Sequence, residues 1–229
     1  MKEKKIINPH EARIEADYLE MERLGIKLGI PVPQVHFTLE VHKDGKLISH
    51  YKQRSHTWNR NFWNWLIAVL TYTPGVATNF GAGYLSFKRH TGAVTAVGSS
   101  ALYANCVGPI NNSLYGIQVG IGTAAEDFEG YALSNQCVEG SGANQLVHAA
   151  HSALVQNYVS GTKTWTITIK RLFNNNSGSD IVIAECALTY MNGLTYDYIF
   201  NRDLLAGTQT VANGGQLTAS YAISLVFPA

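Results

Sequence analysis

The sequence predicts a mainly β protein: an antiparallel β-sandwich body over residues 34–229, an N-terminal helical arm over 1–33, and one buried, aromatic-rich helix over 57–72. Three observations carry this. Apolar residues recur with period two at Val35, Phe37, Leu39 and Val41, and again at Trp165, Ile167 and Ile169 against Thr164, Thr166 and Thr168, which sets one strand face toward a core. The strands are bounded by turn chemistry, Asp44-Gly45 and the run Asn174 to Asp180. Charge is segregated: of 17 basic and 16 acidic residues, 12 fall in the first 28 positions, so the body is almost uncharged. Such strand patterns serve a sandwich or a barrel alike.

In the arm, Asn8 can cap a helix that opens on Pro9, with Glu11 placed for a capping box and Gly25 as the stop. Ile14, Tyr18 and Met21 form a narrow apolar stripe between charged faces, a candidate interface that packs on the body or on a neighbouring subunit. Gly29, Pro31 and Pro33 then begin an extended run leading to a β-hairpin about Asp44-Gly45. His36, His42, His50 and His56 lie in or beside this hairpin. No carboxylate or cysteine pattern completes a ligand set around them, and no metal site is expected.

Thr57 is placed to cap the helical run Trp58 to Tyr72. Trp58, Phe62, Trp65, Leu66 and Val69 share a face, and Trp63, Ile67 and Leu70 widen it. Trp58, Phe62 and Trp63 are therefore candidate interface residues as well as core residues. From Thr73 to Asn112 the chain reads as loops and short strands. Tyr115, Ile117, Val119 and Ile121 then alternate with Gly116, Gln118, Gly120 and Gly122. One side of that strand is nearly bare backbone, which another element is expected to approach closely. Glu126, Asp127 and Glu129 form an acidic loop with oxygens for a calcium ion, but without the spacing of a dedicated calcium loop. Gln145 to Ser160 reads as one long strand, with His148 and His151 on opposite faces. The strand ending at Phe173 and the apolar strand Ile181 to Tyr190 read as a hairpin joined by the Asn/Ser/Gly turn.

RLFNNNSGSDIVIAECAL (Arg171 to Leu188), NRDLL (Asn201 to Leu205) and TVANGGQLTASYAISL (Thr210 to Leu225) together resemble the C-terminal half of a group of tailed-phage virion proteins. GIQVGIGTAAEDFEGYAL (Gly116 to Leu133) is similar to the same group's glycine-punctuated strand and acidic loop, and the resemblance runs from about Thr57 to the end. Cys186 departs from it, standing where a small or apolar residue is usual. The resemblance implies a jelly-roll type of sandwich in a bacteriophage virion, a repeated subunit that assembles with copies of itself and with other virion proteins. Capsid, decoration, collar and tail are all compatible with it. The rival expectation is a lectin-like module whose Trp and Tyr residues stack on host-surface sugars.

A net charge of +1 gives no basic stripe for neutralising phosphates, so direct nucleic-acid binding is not expected. The charged N-terminus lacks a signal-peptide core and no long apolar run is present, so the expectation is synthesis in a host cytoplasm, without membrane insertion. Cys106, Cys137 and Cys186 are odd in number and far apart, which suits buried hydrophobes better than a disulfide framework. No nucleophile elbow occurs, and Ser141 sits in a Gly-Ser-Gly turn. With no catalytic constellation and no cofactor motif, the chain reads as non-enzymatic. Glu185, inside an apolar run, must find a partner. Arg171 or Arg202 can supply it, and Arg171–Glu185 is the ion pair expected to brace the strands.

Overall fold

The computed structural model describes residues 9–71, 86–96, 106–192 and 196–227. The chain is mainly β, with antiparallel sheets and two helices among those residues. Helix α1 (Pro9–Leu28) leads into β1 (Val32–Lys43), earlier than the expected end of the arm at residue 33. Gly25 does not stop α1. Its missing Cβ lets the helix lie against the returning chain, where a methyl would come within 2.5 Å of Val32 Cγ2. The stop is Gly29 at φ 69°: Ile30 N–H donates to the Gly25 carbonyl and Gly29 N–H to that of Ile26, closing the last turn in a Schellman motif. Asn8 lies outside the described residues.

β1 and β2 (Lys46–Arg54) form the expected hairpin, with Asp44 and Gly45 both at positive φ, as a type I′ turn requires. Helix α2 (Arg60–Thr71) starts later than the expected residue 57. Thr57 does not cap it, because its hydroxyl is engaged by the Arg202 carbonyl and the Asp203 carboxylate, while Trp58 makes a β-bridge to Asn201. Short strands β3 (Ser86–Lys88) and β4 (Val94–Ala96) pair with each other. The rest of the expected loop-rich stretch includes residues 72–85 and 97–105, outside the described residues.

β5 (Gly116–Gly120) is followed by β6 (Val147–His151) and β7 (Val155–Val159). The expected single strand 145–160 is thus two, separated at residues 152–154. A bulge between His148 and His151 breaks the alternation that would have put those imidazoles on opposite faces. β8 (Thr164–Asn174), β9 (Ile181–Asn192), β10 (Tyr196–Val211) and β11 (Gln216–Val226) complete the order.

One sheet runs β2-β1-β11-β8-β6, with β7 also paired to β8; the second runs β10-β9-β5. β8 and β9 are therefore not a hairpin. Both sides of β8 are taken, by β11 on one and β6 with β7 on the other, so the turn after Asn174 carries the chain out of one sheet and into the next. β9 lies between β10 and β5, which explains its apolar residues on both faces.

Both sheets feed one apolar cluster. Phe37 and Leu39 (β1), Phe173 (β8), Leu217 and Tyr221 (β11) meet Ile117 and Val119 (β5), Ile181 and Ile183 (β9) and Val211 (β10). A smaller cluster, Phe87, Tyr190, Tyr198 and Phe200, is covered by Trp58, Phe62 and Trp65 from α2 and the segment before it.

The inter-sheet turn is pinned by Asn175, which is wholly buried. Its amide donates to the carbonyls of Ser179 and Val211 and its Oδ1 accepts from Ser177, while its backbone bonds Gly214 and Gly215 in the β10–β11 turn. Removing the amide takes the side-chain donor from the buried Val211 carbonyl and unties the turn at Ser179 and Ser177, so Asn175→Ala is expected to lower unfolding free energy in urea by about 2 kcal/mol. A loss below about 0.5 kcal/mol, the ordinary range for surface positions, would mean that the turn does not depend on it.

Candidate functional site

The chemistry-bearing side chains converge where β9 and β10 meet the 121–135 loop. Glu185 projects from β9 into a position with no solvent exposure. It accepts backbone hydrogen bonds from Gly122, Ser134 and Asn135 at 3.1, 3.0 and 2.8 Å, and the Arg202 Nε at 2.6 Å. The glycine strand is what admits it: a Cβ on Gly120 or Gly122 would lie 2.6 or 2.5 Å from Glu185 Oε1. The close approach expected of that bare backbone is thus made by a carboxylate. Arg202 then reaches on to the carbonyls of Ala124 and Ala125, holding the start of the acidic loop.

The partner of Glu185 is Arg202, and not the expected Arg171. Arg171 stands on β8, in the other sheet, and its wholly buried guanidinium donates to the carbonyls of Pro109, Asn112, Tyr115, Ile117 and Ala149. Burial pulls its pKa down to about 10, so it remains a cation at neutral pH. It gathers the segment before β5 onto β6 through oxygen lone pairs alone.

Next to the Glu185–Arg202 pair is a second buried cluster that no local spacing announced. Asp203 has no exposed surface and accepts from the His56 and Thr57 N–H groups and from Ser55 Oγ, Thr57 Oγ1 and the Asn201 amide. Burial pushes the Asp203 carboxyl up, and these donors with the His56 charge pull the other way. His56 Nδ1 faces the Arg54 carbonyl and Nε2 faces Glu126, each at 3.2 Å, so both nitrogens donate and the ring is an imidazolium. Burial alone would lower its pKa. The hydrogen bond to Glu126 and the charges of Asp203 and Glu126 reverse that and hold it at about 9. Such a ring keeps its proton at neutral pH and is not poised to take another.

His56, Glu126 and Asp203 bring potential metal-ligand atoms within 4.8 Å of one another. Their lone pairs are already engaged, Glu126 also accepting the Leu204 N–H, and a cation there would have to displace the imidazolium proton. The acidic loop does not converge on one point: Glu126 faces His56, Asp127 accepts from the Glu129 N–H, and Glu129 pairs with Arg60.

The expected interface residues divide. Tyr18 lies under the Arg54 guanidinium at 4.7 Å, and Arg54 also grips Glu15 and Glu22, so this face of α1 is held by β2 of its own chain. Ile14 is half-buried, and Met21 is exposed. The Trp58 and Phe62 rings meet at 4.4 Å with their planes tilted by 49° and pack on the chain's own aromatic cluster, whereas Trp63 faces solvent. An open polar cleft of about 450 Å³, lined by His42, Asp44, Asn174, Asn176 and Gln216, opens where the β1–β2, β8–β9 and β10–β11 turns meet. Comparison of the chain with protein-family models, with curated proteins and with solved structures finds no match.

Arg202→Met leaves the buried Glu185 without its countercharge and is expected to cost about 3–5 kcal/mol in chemical denaturation. Adding Glu185→Gln should recover part of that loss; strict additivity of the two changes would show the pair to be uncoupled.

The histidines fix a pH window. His151 accepts the Ile117 N–H at Nε2, and burial first, then the charges of Arg171 and His148, lowers it to about 4. Its contribution is present above the ordinary value of 6.5 and is lost as pH falls toward 4. The His56 contribution is full below 6.5 and is lost as pH rises through about 9. The urea midpoint should therefore peak near pH 6.5, and His56→Gln should flatten the decline on the alkaline side alone. An unchanged alkaline limb in that variant would exclude His56 as its source.

Proposed function

We propose that this protein is a structural, non-enzymatic subunit of a tailed-bacteriophage virion, built as a β-sandwich of jelly-roll type and assembling with copies of itself and with other virion proteins. The two sheets with a shared core, and a chain that changes sheet between β8 and β9 and again between β10 and β11, support the architecture. The single observation that carries the assembly reading is the contrast between interior and surface. Charged groups are buried in self-satisfied networks around Glu185, Asp203 and Arg171, whereas large apolar side chains such as Ile48, Trp63, Leu154, Tyr158 and Trp165 face outward. Tyr158 and Trp165 lie opposite each other across β7 and β8, and adjoining exposed aromatic side chains of this kind support contact with other protein.

The lectin-like alternative draws on the polar cleft and on the solvent-facing Trp63 and Trp165. Neither tryptophan lines the cleft, so a sugar bound there would lack a stacking platform. The assembly reading is tested by mass spectrometry of purified particles together with electron microscopy. The expected result is this chain in the particle at multiple, symmetry-related copies. Its absence from particles, with a glycan-array signal from the isolated protein, would transfer the case to the lectin reading.

A further inference from the structure

The edges of the two sheets are not alike. β2 carries Lys46, Lys52 and Arg54 along its length, the charge that ordinarily discourages strand addition. β10 is bridged by Trp58 at Asn201, and the outer side of β5 is bonded by the 135–137 segment through Ile121 N–H to Asn135 and Cys137 N–H to Val119. β7 has none of these devices. It pairs with β8 on one side, and among the described residues no strand pairs with the other. All five of its residues are exposed, and the sequence Val155-Gln156-Asn157-Tyr158-Val159 has no charge, no proline and no glycine.

We propose that β7 is a homotypic docking edge, which pairs antiparallel with β7 of a second copy about a two-fold axis through Asn157. The choice of a second copy comes from the strand itself. Antiparallel pairing centred on Asn157 sets Val155 opposite the partner's Val159, Gln156 opposite the partner's Tyr158, and Asn157 opposite its own copy. One face then carries two Val–Val pairs flanking an amide–amide pair. On the other, each Tyr158, already opposite Trp165 of β8, gains a Gln amide neighbour across the axis. No like charges meet. A strand shifted by one residue would lose the Val–Val pairs, setting Val159 against Gln156 in one direction and Val155 against Tyr158 in the other.

The area available to a five-residue edge is below the ~1,200 Å² of a stable independent dimer, so the isolated pair is weak and concentration-dependent. In a particle of many copies such contacts add. The proposal deepens the assembly reading and rests on it only for its place in a particle, because the pairing itself is read in solution.

The test uses the full chain. Sedimentation from micromolar to millimolar protein is expected to show a monomer–dimer equilibrium, and Asn157→Lys, which opposes two cations on the axis at an exposed position, is expected to weaken it at least tenfold with unchanged circular dichroism. Under mild oxidation Asn157→Cys should give a disulfide-linked dimer. Gln156→Cys, whose opposite residue is the partner's Tyr158, should give much less, with the wild type reporting any background from Cys106. Equal cross-linking at 156 and 157, a wild type that stays monomeric throughout, or a dimer indifferent to Asn157→Lys would overturn the edge pairing. Any of those results alongside the protein's presence in particles would leave the assembly reading standing and remove only this contact.

Discussion

A carboxylate fully removed from water at Glu185 is the constraint around which the second sheet and its loops are arranged. An ionised group in that position is tolerated only with a countercharge and with donors for its remaining lone pairs. Arg202 supplies the first, and three backbone N–H groups from the 121–135 loop supply the second. These demands explain features that look unrelated in sequence. The glycines at 120 and 122 make room for the carboxylate, the 134–135 backbone is drawn in to donate, and the two terminal nitrogens of Arg202 fix the other end of the loop at Ala124 and Ala125. That placement delivers Glu126 to His56, so one buried ion pair leads to the next.

Two of the buried arginines, Arg202 and Arg171, solve the same electrostatic problem in different ways. Arg202 meets a carboxylate, and its charge is neutralised locally. Arg171 donates its hydrogen bonds to carbonyl oxygens, five of them from two segments, and the planar five-donor guanidinium is the side chain that can gather so many. Lysine at 171 could not reach the same set, having three donors on a single nitrogen. The β8 side of the core is thus held by dipoles and the β9–β10 side by paired charges.

Much of the fold is legible in the sequence, and the failures have a common origin. Period-two patterns mark β1, β5 and β8, and Asp44-Gly45 marks its turn, because those signals are local. The glycines of β5 announce a close approach but not its agent. What sequence does not show is pairing. An Asn/Ser/Gly turn between two strands fits a hairpin and an inter-sheet connection equally, and that one ambiguity led from β8 and β9 to the wrong partner for Glu185. The cap expected at Thr57 failed for a related reason: its hydroxyl is claimed by Asp203, 146 residues away. The cluster of His56, Glu126 and Asp203 left no trace in spacing, since its members come from three separate segments. The stripe of Ile14, Tyr18 and Met21 was visible as a stripe, but the cation that receives its Tyr lies on β2.

The pairing of β1 with β11 along almost their whole lengths has a consequence for how the chain comes to be folded. These strands lie at opposite ends of the described sequence, so the central position of the larger sheet is filled by a strand that is synthesised after all of its sheet neighbours. Until β11 leaves the ribosome, β1 with its hairpin partner and β8 with its neighbours expose the facing edges that β11 will later occupy. Non-local pairing of this sort is slow and aggregation-exposed. Closure of the larger sheet therefore waits for β11, and during that interval the growing chain presents to its siblings the same kind of open edge that β7 has among the described residues.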